Sequence, residues 1–183
     1  MFLIIYANIR RFDFYGRIYY LDLLNGESII ILEPYNKTTI VIDTGDGSNN
    51  TVTNFLKRLG IKRIDLLVLT HNHSDHNGEA IELSRQFPIN NIIVNAYDNS
   101  DITRLANIRR VSFGDRIICG EIIFKVLNPI QESKNENDNS IVLYGEIGGL
   151  KHLFVGDASI DIEMKFADLS VDVLKVGHHG SNT

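Results

Sequence analysis

An α/β fold is predicted for this 183-residue chain by three features: Ile-, Tyr- and Val-rich runs of strand length, intervening stretches with helical spacing, and apolar runs that end at polar residues. The runs "FLIIYA", "RIYYLDLL", "SIIILE" and "TTIVIDT" come first, with turns at Asn25-Gly26 and at "PYNK". They read as successive hairpins in an antiparallel or mixed sheet. Residues 51–59 place Val52, Phe55, Leu56 and Leu59 at helical spacing, and Gly60 stands where a C-cap belongs. "IDLLVLT" is apolar at both alternations, as a strand buried on both faces must be, and it delivers His71 at its end. A helix over residues 78–87 follows, stopped by Pro88.

Further along, "NNIIVNAY" reads as a strand, "SDITRLANI" as a short helix, and "RRVSFGDRIICGEIIFKVLNP" as two strands about a Gly-Asp turn. The polar stretch "QESKNENDNS" reads as an exposed, mobile loop. "IVLYGEI" and "KHLFVGD" form a hairpin around Gly148 and Gly149, "SIDIEMKFAD" a helix, and "VDVLKVG" a last buried strand that ends at His178 and His179. Neither a repeat nor a linker divides the chain, so residues 1–183 read as one domain.

Composition narrows the function. With 44% hydrophobic residues the chain can bury a substantial core, and a net charge of -5 removes the basic footprint that would by itself indicate a nucleic-acid binder. The single cysteine, Cys119, excludes an intramolecular disulfide and reads as a small core residue. Any metal must therefore be held by histidine and carboxylate. The N-terminal apolar run lacks the flanks of a signal peptide and reads as a first strand. No segment reaches the roughly 18 consecutive apolar residues of a membrane-spanning helix. A soluble, cytoplasmic protein is the expectation.

The chemistry concentrates in "THNHSDHNGE", where His71, His73, Asp75 and His76 fall within six residues after a buried strand. In a tight loop the i, i+2 histidines can point to one side while Asp75 and His76 turn to a neighbouring position, building two adjacent metal pockets. Imidazole and carboxylate suit Zn2+, and would also accept Mn2+ or Fe. Further ligands must come from other strand ends on the same sheet edge. Asp157 in "LFVGD", as a bridging ligand, and at least one of His178 and His179 in "VGHH" meet that condition. Asp43 in "VIDTG" is a weaker signal, a turn residue whose carboxylate could accept the second ring N–H of a ligating histidine. His152 reads as a surface residue, and Lys175, Lys151 and Arg104 as solvated charges with a lesser reading as phosphate contacts.

Taken together, these residues resemble the metallo-β-lactamase superfamily. "THNHSDHNGE" is similar to its H-x-H-x-D-H signature and "LFVGD" to its metal-bridging aspartate motif. Within the superfamily, "IVIDTGDG", "FGDRIICGEIIFKVLNP", "NDNSIVL" and "VDVLKVGHHGSNT" resemble the C-terminal hydrolase domain of ComEC-type DNA-uptake proteins and their stand-alone relatives. The resemblance implies an αβ/βα sandwich with metals at its edge. It also exposes two departures. "LLNGES" stands where that family has "VGQGDS", so that Asn25 and Glu27 replace Gln and Asp, altering a loop near the site. The family continues past "HHGS" with a helix, strands and another motif, whereas this sequence stops at Thr183. The C-terminal part of the sandwich is thus expected to be truncated, with a homo-oligomer, a partner or a missing segment covering the face left open.

No histidine lies between His76 and His152, where many superfamily members supply a third-motif ligand. The expectation is one firmly held metal and a second held less firmly, completed by water or an oxygen from Asn137, Asp138 or Asn139. The implied activity is a metal-dependent hydrolase using a metal-bound hydroxide, with Asp75 as ligand and catalytic proton acceptor. Two ions about 3.5–4 Å apart would lower the pKa of a bridging water from about 15.7 towards 7. The implied substrate is a phosphodiester, single-stranded DNA among them. The alternatives are hydrolysis of small esters, thioesters or phosphoesters at the same site, and a module that holds metal without turnover.

Overall fold

Every residue of Ile29–Leu32 and of Thr39–Ile42 is buried, so the sheet these strands share must be covered on both faces. The structure, a computed structural model, describes residues 14–180. The strand expected over residues 2–7 and the final "SNT" lie outside them. Six strands make the first sheet in chain order: β1 (Arg17–Tyr20), β2 (Ile29–Leu32), β3 (Thr39–Ile42), β4 (Leu66–Val68), β5 (Ile92–Asn95) and β6 (Ile108–Val111). β1 to β3 meander antiparallel, and β3 to β6 run parallel. The second sheet contains β7 (Arg116–Cys119), β8 (Ile122–Asn128), β9 (Val142–Ile147), β10 (Leu150–Phe154) and β11 (Val173–Lys175), in the order β11-β10-β9-β8-β7. Only β10 and β11 are parallel there.

Strand alternation sorts the core. Ile29, Ile31, Ile40 and Ile42 face Phe124, Val126, Leu143 and Phe154 of the second sheet. The opposite parity, Ile30, Val41 and Leu67, packs beneath helices α1 (Thr51–Arg58) and α3 (Ala80–Gln86), between which lies the single turn α2 (Ser74–Asn77). On the far side Val142, Leu153 and Val155 pack against Ile162 of α4 (Ile160–Glu163) and Phe166 just beyond it. Helix, sheet, sheet and helix follow one another, the αβ/βα sandwich the sequence implies. None of the described helices is long and apolar enough to cross a membrane.

Four expectations need correction. "RRVSFGDRIICGEIIF" forms three strands: Asp115 accepts the Ser112 N–H at 2.8 Å in the turn where the chain passes from the first sheet to the second. The hairpin turns instead at Gly120 and Glu121, because β7 and β8 pair Cys119 with Ile122. "SDITRLANI" makes only a single 3-10 turn, Asp101–Arg104, in which Ile102 alone is buried. The last described strand is an edge: among the described residues β11 pairs only with β10, and Leu174 and Val176 are 51% and 55% exposed. "QESKNENDNS" is an ordered loop, closed by a 3-10 turn at Glu136–Asn139 whose buried Asn139 amide donates to Ser133 O and Glu136. Asn72 donates to Glu136 and Ile141 to Thr70 O, which fastens that loop against the histidine segment.

The start of α1 is held from outside itself. Its N-cap, Asn50, makes no side-chain cap. The carboxylate of Glu79, 1% exposed, instead accepts the N–H groups of Val52 at 3.0 Å and Thr53 at 2.6 Å, while the Glu79 N–H donates to Thr44 Oγ1. A carboxylate at a helix N-terminus is favoured by both the orphan donors and the dipole. Glu79→Ala is expected to lower stability by about 1–3 kcal/mol for each of the two donors it strands. An unchanged urea midpoint would show that α1 finds its cap elsewhere.

Candidate metal centre

β3 and β4 are parallel neighbours with Ile42 beside Val68, so their carboxyl ends open at one edge of the sandwich. Asp43 leaves β3 in the left-handed region, φ 57°, with its N–H on Val68 O. That twist turns its fully buried carboxylate under the next strand end. Oδ1 accepts the Thr70 N–H at 2.8 Å, and Oδ2 accepts the Thr70 hydroxyl at 2.7 Å. Oδ2 also lies 2.8 Å from His76 Nδ1. Thr44 donates through both N–H and hydroxyl to His76 O. Ring and backbone of His76 are therefore held from behind, and the weak Asp-Thr-Gly signal proves to be the hinge of the loop.

Two groups of ligand-type atoms result. His71 Nε2 and His73 Nδ1 lie 3.1 Å apart, close to the roughly 3.3 Å that separates two nitrogens around a tetrahedral zinc. Thr70 Oγ1, 3.1 Å from His71 Nδ1, fixes that ring from behind. Beside them His76 Nε2 faces Asp157 Oδ2 at 3.2 Å and Asp75 Oδ2 at 3.8 Å. His179 Nε2 lies 3.5 Å from Asp75 Oδ2 and 3.6 Å from Asp157 Oδ2. Ligand atoms of Glu27, His76, Asp157 and His179 all fall within 4.8 Å of one another. The carboxyl ends of β10 and β11 deliver Asp157 and His179 to the same edge.

The donor atoms fit a cation on one specific observation. His76 Nε2 and Asp157 Oδ1 are buried and make no hydrogen bond among the described residues. Buried polar atoms left so are rare and costly unless something absent from the chain satisfies them. Electrostatics agree. Burial, with the neighbouring His76, pushes His71 down to about 3, leaving a neutral imidazole. Burial opposes charge on His76 too, but the Asp43 and Asp157 carboxylates outweigh it and hold its pKa up at about 10. Burial likewise works against Asp157, and His76 with its neighbours overcomes it and keeps the carboxylate ionised. Protons and imidazolium charge occupy a place a divalent ion would suit.

Of the seven residues singled out from the sequence, His71, His76 and Asp157 are buried, Asp75 is half-buried at the rim, and His73 and His179 are exposed at the mouth. His178 donates its N–H to Gly156 O, and of the pair it is His179 whose ligand atom falls in the group with Glu27, His76 and Asp157. Glu27 was legible only as a changed loop residue, yet it lies inside the cluster. Lys175 is no solvated charge: its side chain is 13% exposed and ion-paired with Glu27. His152 is not a surface residue: two positions before Phe154 on β10, it shares that residue's inward face and stacks on it at 5.8 Å. Asn137, Asp138 and Asn139 belong to the loop fastened to Asn72, where Asn137 Oδ1 is buried without a hydrogen bond among the described residues.

Compared with known proteins, residues 23–183 match the family described as Metallo-beta-lactamase superfamily. ComE operon protein 3 of Bacillus subtilis (strain 168) is 28% identical over 198 residues, covering 91% of this chain and 26% of that protein. Recombination protein 2 of Haemophilus influenzae is 29% identical over 173 residues, covering 89% and 21%. The chain spans about a quarter of the length of these curated relatives. Among solved structures, MEM-A1, a subclass B3 metallo-beta-lactamase from a soil metagenome library, matches with a TM-score of 0.67 at 19% identity, over 91% of this chain and 78% of that one. At that identity the likeness is one of fold.

The two buried histidines give the metal-free chain a pH optimum. His71, held near 3 when folded against 6.5 ordinarily, takes up a proton on unfolding, so its share of stability rises with pH across that interval. His76, held near 10, contributes fully below 6.5 and loses its contribution as pH climbs through 10. Urea unfolding with chelator present is expected to peak near pH 6.5, and Asp43→Asn to flatten the alkaline fall. Wild-type stability that rises from pH 6.5 to 10 would contradict the role of Asp43 behind His76.

Proposed function

The chain belongs to the metallo-beta-lactamase superfamily, and we propose that it is a metal-dependent hydrolase of phosphodiesters, single-stranded DNA among them. The observation that carries the metal dependence is that the buried His76 Nε2 and Asp157 Oδ1 make no hydrogen bond among the described residues, beside Asp157 Oδ2, which lies 3.2 Å from His76 Nε2 and 3.6 Å from His179 Nε2. In this reading His71, His73, Asp75, His76, Asp157 and His179 are the residues that would hold one or two ions. Zinc suits these donors, and manganese is accepted by the same set. A divalent ion bound here supplies Lewis acidity and makes water acidic enough to act as nucleophile near neutral pH.

The chain's own residues do the rest. Asp43 and Thr70 keep His76 and His71 turned outward, so that both donor nitrogens are pre-oriented and little reorganisation accompanies binding. Asp75, half-buried at the mouth with Oδ2 directed at His179, is placed to take the proton of an attacking water. The substrate class is supported by the resemblance to DNA-uptake proteins and by the relative named for recombination, a process of nucleic acids.

The test is hydrolysis of bis(p-nitrophenyl) phosphate and single-stranded DNA with Zn2+ or Mn2+. His73→Ala and Asp157→Ala are each expected to lower the rate by more than about 100-fold, beyond the range usual for residues that only orient ligands. Full activity in both variants would overturn the metal-dependent mechanism. Turnover of carboxylic esters alone would move the site to a different substrate class.

A further inference from the structure

His179 is the least supported member of the cluster. Its backbone lies in the left-handed region, φ 53°, directly after His178 at φ 44°, in a single 3-10 turn. β11, which leads there, is a three-residue edge strand. The ring is 40% exposed. Nothing in that local backbone fixes the imidazole, yet its Nε2 faces two carboxylates at 3.5 and 3.6 Å.

What stands behind the ring is Glu27. Its Oε2 lies 3.9 Å from His179 Nδ1, a Coulombic contact longer than a hydrogen bond. The arrangement parallels that of His76, whose Nδ1 is backed by Asp43 while Nε2 faces Asp157. Glu27 is itself held on both sides by its backbone, its N–H on Asp75 O at 3.2 Å and its carbonyl accepting the Gly45 N–H at 2.9 Å. The preceding Gly26, φ 87°, allows this: a Cβ there would stand 1.8 Å from Asp75 O. Lys175, 148 residues further on, reaches from β11 to ion-pair with Glu27 Oε2 and donates to Gly156 O at 3.3 Å. The same lysine thus joins the β1–β2 loop, the turn before Asp157 and the strand that carries His179.

We propose that Lys175 and Glu27 are positioning residues for His179: the ion pair pins the Glu27 carboxylate behind Nδ1, so that Nε2 is presented to the cluster. Glu27 orients the ring and is not itself a ligand, because the oxygen nearest His179 is committed to the lysine. Without the ammonium, Glu27 would be a third carboxylate crowding Asp75 and Asp157, drawn towards the ion instead of the ring. This inference rests on the reading of the cluster as a metal centre and adds a charge relay that no single motif of the sequence contains.

Competitive Zn2+ titration of the metal-free chain with a chromophoric chelator tests it. Glu27→Gln, which keeps the shape, and Lys175→Ala are each expected to weaken one of two zinc equivalents by about 10- to 100-fold, leaving the other within about threefold. Lys175→Arg restores the binding, and the double variant Glu27→Gln, Lys175→Ala is no weaker than the worse single variant, as members of one device are. Two ions bound as tightly by Lys175→Ala and Glu27→Gln as by the wild type would overturn the proposal and leave the metal centre standing. Loss of zinc in Glu27→Gln as complete as in Asp157→Ala would overturn it too, making Glu27 a ligand. A wild-type chain that binds no zinc removes the metal centre itself, and this inference with it.

Discussion

The site depends on one buried carboxylate. Asp43 accepts from the Thr70 N–H, the Thr70 hydroxyl and His76 Nδ1 within 2.7–2.8 Å, at zero exposure. These contacts join the end of β3 to the end of β4 and to α2. A carboxylate so deeply buried is tolerated only because donors surround it, and each donor is fixed in return. The loop that carries four of the candidate ligands is fastened by these contacts more than by regular secondary structure, of which it contains a single helical turn. The second sheet then needs only to bring two strand ends, those of β10 and β11, to the same edge.

A division of labour follows. Two carboxylates, Asp43 and Glu27, lie behind the histidine rings, and two, Asp75 and Asp157, lie in front of them. The pattern accounts for a cluster of several acidic groups in so small a volume. Those behind are neutralised, Asp43 by His76 and Glu27 by Lys175. Those in front face two imidazoles and the place a cation would take. Burial drives His71 towards neutrality while Asp43 and Asp157 keep His76 protonated in the metal-free chain. A divalent ion bound beside His76 would displace that proton.

How much of this the sequence disclosed follows from the range of each interaction. H-x-H-x-D-H is local, so spacing alone singles it out. Asp157 and the His178–His179 pair could be singled out because each follows an apolar run, as His71 does, and parallel strands bring such ends to one edge; which of the two histidines faces the cluster could not. Glu27 and Lys175 were not, since their meaning lies in a contact 148 residues apart between a loop and an edge strand, which no periodicity encodes. The sandwich was legible through strand-length apolar runs and through resemblance. The change of sheet at Gly114 and Asp115 was not, because a Gly-Asp turn looks the same whether it closes a hairpin or crosses between layers. His152 was misjudged although the period-2 pattern with Phe154 already put it on the inner face. β11 looked buried because "VDVLKV" is mostly apolar, but among the described residues it has a strand on one side only.

The most direct test is where a divalent ion sits. In crystals of the chain soaked with Zn2+, anomalous scattering at the zinc edge is predicted to show a peak about 2.0–2.2 Å from His76 Nε2 and from a carboxylate oxygen of Asp157. Soaked crystals with zinc bound only at other residues, or with no peak beside His76, would contradict the account.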